Sequence, residues 1–133
     1  MANPSLKILV ADDDPDILGV MAKRLASVDF DVITASDGVE ALAKARGERP
    51  DILVLDVNMP GKDGFEVLKD FRETPPDNKW RPVIIVSAQN ELDSFRKGFS
   101  LEADHYLSKP CRMEDLVNAI YLMATLIPLR SQE

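Results

Sequence analysis

The chain has 133 residues, of which 45% are hydrophobic, 29% charged and 6% aromatic, the composition of one globular domain with a buried core and not of a disordered or low-complexity chain. Its 16 Lys and Arg against 23 Asp and Glu leave a net charge of −7, a sign that repels a polyanion and argues against direct nucleic-acid binding. No apolar run approaches the ~20 residues that span a bilayer, the start Met1-Ala2-Asn3-Pro4-Ser5 lacks the layout of a signal peptide, and the single cysteine, Cys111, can form neither an internal disulfide nor a thiolate cluster. A cytoplasmic protein without a membrane partner is expected, and any metal must be held by oxygen.

The first apolar run, Leu6 to Ala11, has the length and Leu/Val/Ile content of a strand buried on both faces. Asp14 and Pro15 then read as an N-cap with proline in the first helical position, opening a helix whose apolar residues Ile17, Met21, Leu25 and Val28 recur at helical spacing. Val32 to Ala35 is the second strand. Asp37 with Glu40 reads as a capping box before a helix carrying Val39, Leu42 and Ala45. Ile52 to Leu55 is the third strand, followed by a helix on Phe65, Leu68 and Phe71. The polar, two-proline stretch Glu73 to Arg81 is a surface loop with Trp80 as its anchor. A fourth strand, Val83 to Val86, precedes a helix on Leu92, Phe95 and Phe99; a weaker fifth, Tyr106-Leu107, precedes a boundary at Pro110 and a last helix on Leu116, Ile120, Met123 and Ile127. Strand and helix thus alternate along the chain, the pattern of an α/β doubly wound domain: a parallel sheet with helices on both faces, since parallel strands require crossover connections.

In such a sheet the ligand site lies beyond the carboxyl ends of the strands. The residues found there are Asp12, Asp13 and Asp14 after the first strand, Asp56 after the third, Ser87 after the fourth and Lys109 after the last. Crowded carboxylates raise one another's pKa unless a counter-charge is supplied. A hard divalent cation, Mg²⁺ or Mn²⁺, supplies one through carboxylates and water and completes its shell with phosphate oxygens. Asp56, alone at its strand end, is the candidate nucleophile for a phosphoryl group, with a lysine and a hydroxyl beside it. Taken singly these residues mean little, because an Asp or Ser after a strand is most often a helix cap and a Lys most often a solvated surface group. Their convergence carries the reading. His105 and Cys111, without partner patterns, are read as structural, and Met59 and Met113 as packing.

Four blocks, taken together and in order, resemble the receiver domain of two-component response regulators, the chemotaxis regulator included. They are Ile8-Leu9-Val10-Ala11-Asp12-Asp13-Asp14-Pro15, Leu53-Val54-Leu55-Asp56-Val57-Asn58-Met59-Pro60-Gly61-Lys62-Asp63-Gly64, Pro82-Val83-Ile84-Ile85-Val86-Ser87-Ala88 and Tyr106-Leu107-Ser108-Lys109-Pro110. The resemblance covers residues 1–133 as a single receiver domain with a core of about 6–127. It implies a flavodoxin-like (βα)5 three-layer sandwich with a five-stranded parallel sheet in the order 2-1-3-4-5. It implies further that Asp56 is the phosphoacceptor, that Asp13 ligates Mg²⁺ directly and Asp12 through water, and that Asn58 lends its backbone carbonyl. Lys109 would pair with the acceptor and then the phosphoryl oxygens. Ser87 would close on the phosphate beside the small Ala88, and Tyr106 would be the aromatic whose rotamer follows Ser87.

The donor would be a phosphohistidine on a sensor histidine kinase or a histidine phosphotransfer protein. The output would be a population shift on the surface formed by the fourth and fifth predicted helices and the fifth strand, read by a downstream protein or a second copy of the chain. Leu122, Leu126 and Leu129, outside the core stripe of the last helix, are the docking or self-association face expected there. The chain is then a phosphoacceptor with Mg²⁺-dependent self-phosphorylation and autodephosphorylation, and not a turnover enzyme. Four positions mark this member: Glu102 where Gly is frequent, Cys111 for a bulky apolar residue, Arg112 where a capping Asp or Ser is common, and Gln89, which with Asn58 occupies a position that tunes acyl-phosphate lifetime. Two rivals share part of the pattern. A haloacid-dehalogenase-like phosphatase also begins with Asp12-x-Asp14, but it wants Thr or Val where Asp16 stands and a second acidic motif that is absent; a receiver-like module that is never phosphorylated would be expected to lack Asp56 or Lys109.

Overall fold

The structure, a computed structural model, describes residues 6–88 and 103–131, with side chains as far as residue 127. Five strands, β1 (Lys7–Ala11), β2 (Asp31–Ala35), β3 (Ile52–Asp56), β4 (Val83–Ser87) and β5 (His105–Ser108), form one parallel sheet in the order β2-β1-β3-β4-β5. This is the expected doubly wound topology. The runs of β1, β3 and β4 became central strands because their side chains are buried on both faces, and period two sorts them: Leu9, Ala11, Leu53, Leu55, Val83 and Ile85 face one way, and Ile8, Val10, Ile52, Val54, Ile84 and Val86 the other.

Helices α2 (Gly38–Glu48) and α3 (Gly64–Glu73) cover the first face through Ala41, Leu42, Ala45, Phe65, Leu68 and Phe71. Helix α1 (Pro15–Ser27) and the C-terminal helix (Met113–Ser131) cover the second through Met21, Leu25, Leu116, Ile120 and Met123. Two stripe residues depart from expectation. Ile17, near the start of α1, is exposed, and so is Val39, which lies over the turn at Gly61 while Ala41 takes its place in the core. The helix expected on Leu92, Phe95 and Phe99, together with Gln89 and Glu102, lies outside the described residues.

Local chemistry ends the elements where the sequence suggested, with three differences. Asp14 caps α1 as expected, its carboxylate accepting from the N–H groups of Asp16 and Ile17. Asp37 accepts from Glu40 N at 2.7 Å, but the Glu40 carboxylate reaches one residue beyond the cap, to Ser36 N at 2.7 Å; the reciprocal capping box is instead Asp63 with Glu66 on α3. At the C-terminal helix, where Arg112 offers no capping acceptor, Asp115 reaches back to accept from Arg112 N. The 73–81 loop is held chiefly by Arg81, which is 3% exposed and donates to the carbonyls of Arg49 and Pro50 and to Asp77, while Trp80 is half-buried. Met59 is buried in the first core cluster, and Cys111 and Met113 pack on the second, so all three serve packing.

Candidate functional site

Parallel pairing brings the ends of β1, β3 and β4 together and adds the residue following β5. Ala11 pairs with Leu55, Asp56 with Val86 and Ser87 with Ser108. Lys109 N donates to Ser87 O at 2.6 Å, so the edge strand delivers the lysine to the same end of the sheet. The residues singled out from the sequence do converge. Carboxylate oxygens of Asp12, Asp13 and Asp56 all lie within 4.8 Å of one another, Asp13 exposed and the other two buried. Lys109 Nζ stands 3.1 Å from Asp12 Oδ2 and 3.2 Å from Asp56 Oδ2. Ser87 is fully buried at the end of β4.

The three acids after β1 have separate tasks. Asp14 is spent on capping α1. Asp12, 1% exposed, has both oxygens engaged: Oδ1 accepts from Asp14 N at 2.9 Å and Oδ2 from Lys109. A carboxylate so held is a poor nucleophile, which counts against a phosphatase attacking through the first acid after β1. Asp13 alone remains free to face solvent and a ligand. Asp56, 4% exposed, differs again, because its Oδ1 is buried without a hydrogen-bond partner.

The electrostatics follow from this crowding. Burial, and then the charge of Asp12, push the Asp56 carboxyl above its ordinary pKa, and Lys109 offsets only part of that rise. Burial alone would lower the Lys109 ammonium, but its bond to Asp12 and the charge of Asp56 outweigh it, so the net shift is upward and the lysine stays charged. Two buried carboxylates and one ammonium leave net negative charge around an unpartnered oxygen. Oxygen ligands at this separation and charge suit a hard divalent cation.

Around the pocket, Lys109-Pro110 is a cis peptide. Tyr106 lies half-buried in β5 against the first core cluster. The burial of the Cys111 thiol, and then Asp115, push its pKa up, so it is not poised as a thiolate. Of the expected docking leucines only Leu122, 51% exposed, stands clear, beside the exposed Tyr121; Leu126 packs on the second core cluster, and the side chain of Leu129 lies outside the described residues. One feature absent from the sequence reading is an apolar cavity of about 570 Å³ beside Lys109, bounded by Ile17, Val20, Met21, Cys111 and Met113. The exposure of Ile17 and Val20 was hidden in the helical periodicity.

Comparison with known proteins agrees with this geometry. The sequence profile of the response regulator receiver domain matches residues 8–121. The chain is 43% identical over 104 residues to the alkaline phosphatase synthesis transcriptional regulatory protein PhoP of Bacillus subtilis, a match covering 78% of this chain and 42% of that protein. It is 42% identical over 113 residues to the transcriptional regulatory protein PrrA of Mycobacterium tuberculosis, covering 85% and 47%. The chain therefore spans about half the length of the curated relatives it matches. Among solved structures it superposes on a CheY-like receiver domain protein from Methanospirillum hungatei with a TM-score of 0.88 at 25% identity, covering 96% of this chain and 99% of the other. It superposes on the receiver domain of the Francisella response regulator 1452 with a TM-score of 0.82 at 32% identity, covering 89% and 95%. Neither rival reading is favoured by these matches. Sheet order, acidic pocket and sequence together show that the chain belongs to the response regulator receiver domain family of two-component systems.

Proposed function

We propose that Asp56 accepts a phosphoryl group from the phosphohistidine of a sensor histidine kinase or phosphotransfer protein, with Mg²⁺, or Mn²⁺ in its place, held by Asp12, Asp13, Asp56 and the Asn58 backbone carbonyl. The observation that carries this is the Asp56 carboxylate, buried with Oδ2 on Lys109 and Oδ1 without a partner, inside a three-carboxylate cluster. In the transfer an Asp56 oxygen forms a bond to phosphorus as the P–N bond to the donor imidazole breaks, and the released electron pair stays on the ring nitrogen, which takes up a proton. Bound cation neutralises the pocket and the charge on the transferring phosphoryl oxygens. Lys109, already at hydrogen-bond distance from Asp56, holds charge on a phosphoryl oxygen once Asp56 carries the phosphoryl group. Asp12 keeps Lys109 in place by a bond that does not involve the reacting carboxylate.

Ser87, at the end of β4, supplies the hydroxyl for a second phosphoryl oxygen, and Tyr106, on the neighbouring strand, reports its engagement to the outer face of β5 and the C-terminal helix. The same acyl phosphate is hydrolysed in place, so the chain is phosphoacceptor and self-dephosphorylating switch and not a turnover enzyme. The location is cytoplasmic and the partner a downstream protein or a second copy; the charge of −7 accords with a protein partner over a polyanion. The test is intact mass after incubation with acetyl phosphate and Mg²⁺. A gain of one phosphoryl group, absent in Asp56→Asn and with a chelator, is expected; an unmodified native chain under acetyl phosphate and phosphohistidine donors alike would overturn the assignment.

A further inference from the structure

We propose that Gly38, at the first position of α2, is a positioning residue for the metal site: its missing side chain lets the helix end act as a backstop for the 57–63 loop that leaves Asp56. The inference rests on the metal assignment above. The loop is pinned from several sides. Val57 and Met59 point into the first core cluster, so the exposed Asn58 between them is held at the pocket. Lys62 is paired with Asp70 at 2.6 Å, and the Asp63–Glu66 box closes the far end. The remaining contact is with α2: Gly38 N donates to Pro60 O at 3.3 Å. A Cβ on Gly38 would lie 1.8 Å from Lys62 O and 2.6 Å from its carbonyl carbon. The nearest atoms it meets are backbone, with no flexible side-chain end to give way, so the loop or the helix end must shift by more than about 1 Å to reach contact distance.

The backbone of Gly38 is not in the left-handed region, unlike Gly61 at φ +80°. Alanine at Gly38 is therefore tolerated by the helix itself and is a better helix former than glycine. Only the steric clash with the loop is left to act. Gly19 and Gly47, also helical, have open space where a Cβ would stand, and they provide matched controls in the same fold.

Mg²⁺ dissociation constants are measured calorimetrically on the unphosphorylated wild type, Gly38→Ala, Gly19→Ala, Gly47→Ala and Asp13→Asn. Gly38→Ala is expected to weaken Mg²⁺ at least tenfold, the two control alanines to stay within twofold of wild type, and the phosphorylation rate of Gly38→Ala to recover at saturating Mg²⁺. In parallel, the wild-type Gly38 amide NMR signal, bonded to the loop carbonyl, is expected to move with the Mg²⁺ titration while those of Gly19 and Gly47 do not. A wild type that binds Mg²⁺ with Gly38→Ala inside twofold of it overturns this inference alone. If Gly38→Ala does not fold, the amide titration decides, and a stationary Gly38 signal overturns it. A wild type that binds no Mg²⁺, or an Asp13→Asn that binds it unchanged, overturns the metal assignment and this inference with it.

Discussion

Replacing Lys109 by Met keeps the aliphatic stem that borders the apolar cavity and removes the one cation that the described residues place at the pocket. At an effective dielectric constant of about 20, an ammonium about 3.2 Å from a carboxylate contributes a Coulomb attraction of roughly 5 kcal/mol, and Lys109 makes two such contacts. The two carboxylates, up to 4.8 Å apart, repel each other by roughly 3.5 kcal/mol on the same scale. These are gross terms. Part is returned because Lys109, 24% exposed, regains hydration when unpaired, and part because one carboxylate of the variant takes up a proton. Removing one partner of a buried pair costs about 3–5 kcal/mol, so with that discount Lys109→Met should lose about 3 kcal/mol near pH 7.5 without metal, which lowers Tm by about 10 °C.

The sign of the pH dependence separates charge from packing. Without its lysine the Asp56 carboxyl, already raised, rises further. Between the ordinary carboxylate pKa and that raised value the folded chain holds a proton the unfolded chain has lost, so stability falls as pH rises and recovers toward acid. Chemical denaturation of both chains at pH 5 and pH 7.5, with and without Mg²⁺, is the assay. The gap should be widest at pH 7.5 without metal and should narrow both at pH 5 and in Mg²⁺, which the variant should bind more tightly because its competitor for the carboxylates is gone. A gap that is the same in all four conditions would show that the lysine contributes through its stem, and the electrostatic account of the pocket would be wrong.

Three further outcomes follow from the same geometry. Because burial and Asp12 raise the Asp56 pKa, Mg²⁺ competes with a proton for that carboxylate, so its affinity should fall on acidification in a calorimetric pH series; an affinity that does not fall toward acid contradicts it. Arg81→Met leaves the buried Pro50 carbonyl without its donor and removes the part-buried bonds to Arg49 O and Asp77, which should cost about 1–3 kcal/mol by urea denaturation, with the phosphorylation rate of the folded fraction unchanged. Asp63→Ala dissolves the reciprocal capping box of α3 and should cost about 1 kcal/mol, seen as a lower urea midpoint at constant slope.

The sheet was legible because its three central strands are buried on both faces and so read as unbroken apolar runs, and the strand order followed from the family resemblance. The short β5, half-buried at the edge of the sheet, gave only Tyr106-Leu107 as a trace. Periodicity misplaced Ile17 and Val39 for a physical reason: residues in the first turn of a helix satisfy the spacing rule before the helix has reached the sheet. Capping was half legible for a similar reason. Asp37 and Glu40 have the required spacing, but whether the glutamate closes on the cap or on Ser36 depends on how the chain enters the helix, which composition does not encode.

The site divides along the same line. The side chains proposed to do chemistry were visible because the topology places the ends of parallel strands together, so Asp12, Asp56, Ser87 and Lys109 needed no contact information to be grouped. The division of labour among Asp12, Asp13 and Asp14 was not visible, because three adjacent acids are equivalent on paper and become different only when Asp14 turns outward to cap α1 and Asp12 folds inward onto Lys109. Least visible of all were the groups that act on backbone. Arg81 holds two carbonyls 31 and 32 residues away, and Gly38 accommodates a third by having no side chain. A carbonyl belongs to every residue alike, so a partner that recognises one leaves no complementary mark in the sequence. Parts of the domain's shape are therefore set by residues with no chemistry to advertise, and the reactivity proposed for its pocket by residues that advertise it at strand ends.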